Sequence, residues 1–373
     1  MNDRNNVTGR LLIAICLALC GLQPALADTD IFGYFENRFF LVQPPSQDCG
    51  DEKIKLGDYN RLRLKLKASP SDKVVVNMAI DFYSFHGIIT SPLGTYDSGS
   101  DAASNEIEMN LDRAYIDLYF KHFDLSIGKQ RVALGVSYVW APLDIFNRVN
   151  ILEPKEEKPG TNAVKLYIPL GASSSLTAIY SPEEDFATSK AGVRAKTQIA
   201  GIDLALTYIR WGERNLSVYG VDVRGENIIG WWVEGGYFVY PWKKDKKIVV
   251  GFDYTFPVGN GLYWLNEYYY DSSGETDSMR YDYNLLLKGD RFTLGQQYFF
   301  STLSYSFSDF LSATFSYIGN WGDGSYYLSP GVKYDITQNI GLTSGVYIPL
   351  GNDIGEFNMN GSNVFFIWIK VNF

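Results

Sequence analysis

The chain has 373 residues, of which 46% are hydrophobic, 16% aromatic and 20% charged, with a formal net charge of −9. An apolar fraction of that size excludes general disorder, and the acidic balance excludes the basic surface that sequence-independent nucleic-acid binding requires. Mean hydropathy is −0.12, as in many soluble proteins, so average hydropathy alone does not point to a membrane.

At the start, Arg4 and Arg10 precede an apolar stretch from Leu11 to Leu22, about twelve residues and too short to cross a bilayer as a helix. Ala25-Leu26-Ala27 follows with the small-x-small pattern of a signal-peptidase site. Residues 1–27 are therefore expected to be a cleaved secretory signal and residues 28–373 the mature protein. A lipid anchor on Cys20 does not fit, because Leu19 is too large for the position before it. Cleavage removes Cys16 and Cys20 and leaves Cys49 alone, so neither an intrachain disulfide nor a multi-cysteine metal site is expected.

Beyond residue 28 the recurring pattern is alternation with period 2, the mark of strands with one apolar and one polar face. In Asn60 to Ala68, Leu62, Leu64 and Leu66 point one way and Arg61, Arg63, Lys65 and Lys67 the other. Val76, Met78, Ile80 and Phe82 then oppose Asn77, Ala79, Asp81 and Tyr83, and Ala114, Ile116 and Leu118 oppose Arg113, Tyr115 and Asp117. Leu311, Ala313, Phe315 and Tyr317 keep the rule later on, and the last residues place Phe365, Ile367, Ile369, Val371 and Phe373 on one face.

The links between these segments alternate in length. Short ones at Ser69 to Lys73, Gly171 to Ser174, Ala200-Gly201, Ser308 to Phe310 and Thr337 to Asn339 take turns with long polar ones such as His86 to Asn105, Val132 to Thr161 and Gly351 to Asn363. In a closed antiparallel sheet every second connection lies on the same rim, so short turns on one rim and long loops on the other describe an outer-membrane barrel. The expected fold is an all-β, transmembrane, antiparallel up-and-down β-barrel of about 18 strands, with 16 as the alternative. An even count puts both termini on the short-turn rim.

Two further features favour a membrane barrel over a soluble sandwich. Aromatic residues fall near strand ends, among them Tyr34, Phe39, Phe40, Tyr208, Trp211, Tyr237, Trp242, Tyr268 to Tyr270 and Trp321, as expected of girdles at the lipid headgroups. The polar face of several strands is also charged, which is tolerable when water fills the interior.

The ending Trp368-Ile369-Lys370-Val371-Asn372-Phe373 resembles the C-terminal signature that outer-membrane barrel proteins present to their assembly machinery. Ile127-Gly128-Lys129-Gln130-Arg131-Val132, followed by Trp140-Ala141-Pro142-Leu143-Asp144-Ile145-Phe146-Asn147, resembles a pattern in a loosely defined group of proteobacterial porin-like proteins. The resemblance implies a bacterial outer-membrane protein in contact with lipid, presented to the assembly machinery through Phe373, and forming a water-filled pore for passive diffusion of small polar or anionic solutes. It also implies that the third long loop, around residues 132–161, folds inward and narrows the pore. Constriction candidates are Asp144, Arg148, Glu153 and Lys155. A barrel of 16 to 18 strands is too wide for side chains alone to fill.

Selectivity would then come from charges on the lumen wall. Pore-lining candidates are Arg61, Arg63, Lys65, Lys67, Asp81, Arg113, Asp117, Lys129 and Arg131. They admit two readings: a positive line that guides anions, or ion pairs that hydrate and stiffen the wall. An enzyme is not expected, because His86 ends a strand before a long loop while His122 sits in a short turn on the opposite rim, too far apart to share a site. No cofactor motif is present, neither a glycine-rich phosphate loop nor Cys-x-x-Cys-His. The alternative function is a scaffold, a barrel serving as sheath for a periplasmic partner or a multihaem cytochrome in an electron-transfer conduit.

Overall fold

The computed structural model describes residues 29–44, 54–91, 94–97, 107–147, 158–287, 291–359 and 361–373. The expected signal at 1–27, Cys49, and the constriction candidates Arg148, Glu153 and Lys155 lie outside the described residues.

Eighteen antiparallel strands close into one barrel. They are β1 (Thr29–Gln43), β2 (Lys55–Ser71), β3 (Val74–Ser91), β4 (Glu108–Tyr119), β5 (Asp124–Gln130) and β6 (Thr161–Pro169). Next come β7 (Ser175–Ser181), β8 (Lys190–Ile199), β9 (Ile202–Trp211), β10 (Leu216–Glu226), β11 (Gly230–Val239) and β12 (Lys244–Phe256). The last six are β13 (Leu262–Asp271), β14 (Gln297–Ser306), β15 (Leu311–Asn320), β16 (Ser325–Asp335), β17 (Ile340–Leu350) and β18 (Asn363–Asn372). A short strand over Gly94–Asp97 pairs with the end of β3. Among the described residues no helix is long and apolar enough to cross a membrane.

The seam is β1 against β18, from Tyr34 opposite Asn372 to Gln43 opposite Asn363. Gly33 and Phe373 exchange backbone hydrogen bonds of 2.8 and 3.0 Å at its lower end, so the terminal phenylalanine is the last rung of the closed ladder. Closure leaves no sheet edge, the condition for strands to lie in lipid.

Directly opposed residues share a face, so the register sorts every strand into outside and lumen. Leu62, Leu64 and Leu66 stand outside with Phe35, Phe82 and Ile80. Arg61, Arg63, Lys65 and Lys67 stand inside with Glu36, Tyr34, Asp81 and Tyr83. A β-bulge interrupts this order on β4: Ala79 pairs with Arg113 and Ile80 with Leu111, so Asp112 is the extra residue and its carboxylate turns into the lumen.

Two expectations change. Lys129 pairs with Ala114 and Asn162, on the outer face that it shares with Ile127, while Ser126 and Gln130 face inward. One strand position past Gly128, the period of 2 puts it outside the pore, and its ammonium reaches back to the Leu111 carbonyl. The aromatic excess is also not confined to girdles. Tyr34, Phe40 and Tyr269 are buried lumen residues, whereas Tyr208, Tyr219 and Tyr237 stand in one outward row.

Candidate functional site

Residues 132–147, which leave β5, pack inside the barrel against the opposite wall. Val132, Leu134, Leu143 and Phe146 are buried with Ile179 of β7, Ile209 of β9, Val218 of β10 and Phe238 of β11. Val139 and Trp140 are buried with Val249 of β12, Tyr269 of β13, Tyr298 of β14 and Phe357. The Trp140 ring stacks on Tyr269 at 5.6 Å. Six fully or nearly buried apolar side chains on one connection explain its path, since burial of each contributes roughly 1.5–3 kcal/mol. Leu143 needs a pit in the wall, and Gly220 provides it: a Cβ there would sit 2.4 Å from the Leu143 side chain.

Wall carboxylates meet this segment's backbone. Glu234 of β11 accepts from the amides of Val136 (2.8 Å), Ser137 (3.1 Å) and Leu143 (3.0 Å) and from the Ser137 hydroxyl (2.9 Å). Glu267 of β13 accepts from the amides of Tyr138 (2.6 Å), Val139 (2.8 Å) and Trp140 (3.3 Å) and from the Trp232 indole (2.8 Å). Within the segment, Asn147 accepts from the Val132 amide at 2.8 Å. Asp144 is buried against Lys158; burial pushes its carboxyl up to about 6 although the Lys158 ammonium beside it opposes the rise.

A second connection, between β17 and β18, also turns in. Glu356 is buried and accepts from the Tyr298 hydroxyl, the Asn320 amide (3.0 Å) and the Leu294 backbone (3.1 Å). Its surroundings hold Asp323 and no ion-pair partner among the described residues, and burial raises its carboxyl to about 7.

The other wall is organised differently. Arg61 and Arg63 are buried and both bind Asp81, at 2.9 Å each, and Arg63 also binds Asp112. Glu36 binds Arg38 at 2.8 Å, and Arg38 lies over the Trp368 ring at 4.5 Å. Lys65 lies over Tyr34 at 5.9 Å, while Lys67 is exposed nearer the short-turn rim. Of the positive line, Arg61 and Arg63 are thus ion-paired on the wall. Arg113 contacts Asp112 at 3.4 Å. Asp117 accepts from Asn77 (3.1 Å) and Ser126 (2.6 Å) rather than neutralising the arginines.

Between residues 131–134 and the short-turn rim lies a cavity of about 610 Å³ lined by Arg131, Lys165, Arg194, Lys196, Asp117 and Asp124, with Ser126, Ser175 and Thr177. Arg194 is paired with Asp222 at 2.6 Å and Lys196 with Asp203 at 2.7 Å; Arg131 and Lys165 form no ion pair among the described residues. The sequence had singled out Arg131 and Asp117 but neither Lys165, Arg194 nor Lys196, whose strands alternate less cleanly. His86 lies within β3, opposite Asp58 and toward its far end, and His122 in the turn between β4 and β5 at the other rim.

No protein-family model and no curated protein matches the sequence. The fold is similar to that of solved outer-membrane proteins. OccAB1 of Acinetobacter baumannii superposes with a TM-score of 0.62 at 10% identity, covering 94% of this chain and 97% of that one. A BenF-like porin from Pseudomonas fluorescens Pf-5 gives 0.60 at 10% identity over 93% and 99%. The outer membrane protein opdK of Pseudomonas aeruginosa gives 0.59 at 10% identity over 93% and 99%. The chain therefore has the fold of an outer-membrane porin barrel.

Proposed function

We propose that the protein is a bacterial outer-membrane channel for passive diffusion of small polar solutes, with a preference for anions. The observation that carries this reading is the basic cavity beneath the inward segment. A closed barrel has been narrowed by its own chain, yet an unfilled space of about 610 Å³ remains, and two of its cations, Arg131 and Lys165, have no ion-pair partner among the described residues. Positive side chains beside water favour anions entering a narrow path, and the four cations of this lining outnumber its two carboxylates, Asp117 and Asp124. The porin barrels named above support the channel class; the anion preference rests on these residues alone.

The sheath reading finds less support, because a partner would have to occupy space that residues 132–147 and the connection around Glu356 fill. Reconstitution in planar bilayers tests the proposal. Open channels with a reversal potential of anion sign in a potassium chloride gradient are expected. Cation selectivity would overturn the anion preference, and lack of current the channel.

A further inference from the structure

We propose that Glu234 and Glu267 are positioning residues, a two-carboxylate latch that fixes residues 136–143 to the far wall and so sets the width of the water path. This rests on the channel reading above and goes beyond it by assigning the aperture to two named wall residues.

Both carboxylates are wholly buried, and neither forms an ion pair among the described residues. A buried carboxylate without a cation is costly unless donors saturate it. Here eight donors do so. Glu234 Oε2 takes the Val136 and Ser137 amides and the Ser137 hydroxyl, and Oε1 takes the Leu143 amide. Glu267 Oε1 takes the Tyr138 amide and the Trp232 indole, and Oε2 takes the amides of Val139 and Trp140. Seven of the eight belong to residues 136–143, and six are backbone groups that remain whatever the side chains. Only the Trp232 indole comes from the wall.

The dependence is mutual. Without the segment, the two carboxylates would keep one protein donor, the Trp232 indole on Glu267, and depend on lumen water for the rest; without the carboxylates, six amides would enter an apolar cleft unpaired. Gly135 makes the approach possible: it has a φ of 89°, and a Cβ there would fall 2.3 Å from the Glu234 carboxylate. An arrangement with two-sided penalties and a dedicated glycine describes a fixed strut, with the aperture determined when the latch closes.

Glutamine is the discriminating replacement. It keeps the size of the side chain but turns one acceptor oxygen into an NH2 group, which in either orientation faces an N–H donor. E234Q, E267Q and the double variant are compared with wild type by single-channel conductance in planar bilayers and by amide hydrogen exchange over residues 136–143. Each single variant is expected to lose about 10-fold or more in exchange protection there, with unchanged protection in β1 and β18 and a larger, noisier conductance. Folded variants with wild-type exchange and conductance would overturn the latch. Should the double variant fail to fold, the single variants carry the test, and L143A, which loosens the same segment while leaving both carboxylates intact, must then increase conductance in the same direction or the aperture assignment fails. A wild-type protein without current defeats the channel reading, while the exchange comparison still decides whether the carboxylates hold the segment.

Discussion

The two sides of the lumen solve the problem of buried charge in opposite ways. On β2, β3 and β4, Arg61 and Arg63 meet Asp81 and Asp112 across the sheet, so acid and base of that wall pair with each other. On β11 and β13, Glu234 and Glu267 find no cation on the wall and take the backbone of residues 136–143 instead. The first side pairs its charges within the sheet; the second has its carboxylates met by a connection that lies on it. That difference tells why the inward segment crosses the lumen to that wall and leaves the arginine side standing free.

The largest expected effect falls on the self-sufficient side. Arg63→Ala would leave Asp81 and Asp112 buried near each other, a loss of about 3–5 kcal/mol, measurable as a lower urea midpoint for barrel unfolding in lipid vesicles. A variant of unchanged midpoint would show that water, not pairing, supports that wall.

On the other side the barrel should survive while the segment comes loose. Trp140→Ala removes an indole packed between Tyr269 and Tyr298, costing the docked segment about 3–5 kcal/mol. Protease cleavage within residues 132–147 should then appear at conditions where the strands stay intact.

A smaller effect concerns the connection that carries Glu356. Its carboxyl is raised to about 7 from an ordinary 4.5, so the folded state holds the proton more tightly than the open one. The stabilisation is present below pH 4.5 and is lost as pH rises through 7, where Glu356 ionises beside Asp323. Exchange of the Leu294 and Phe357 amides should quicken across that window beyond the intrinsic pH dependence. The smallest effect is Lys129→Leu: on the outer face, it should leave ion selectivity unchanged and stability within about 0.5 kcal/mol.

How much of this was legible in the sequence follows from period and contact range. Alternation in Leu62 to Lys67 fixed inside and outside for β2, and alternating link lengths gave the rims and the count. A period cannot show an insertion, so Asp112 was hidden by the bulge that turns it inward. Tyr268, Tyr269 and Tyr270 looked like one girdle cluster, although period 2 already separates the middle ring from its neighbours. Glu234 and Glu267 carry no local mark at all: each sits on an apolar strand, and the donors from residues 136–143 lie 91 to 129 positions away in the chain. A wall acid with no basic residue at the opposed positions, Asp222 and Val249 for Glu234, was the one signal that a connection must dock there.

The proposed function rests on a solute path narrowed by residues 132–147 and lined by Arg131 and Lys165, which form no ion pair among the described residues. The most direct test is the reversal potential in a potassium chloride gradient for wild type and for the R131E/K165E variant. Anion preference in the wild type that falls or inverts in the variant is the predicted result; equal reversal potentials in two conducting channels would contradict it.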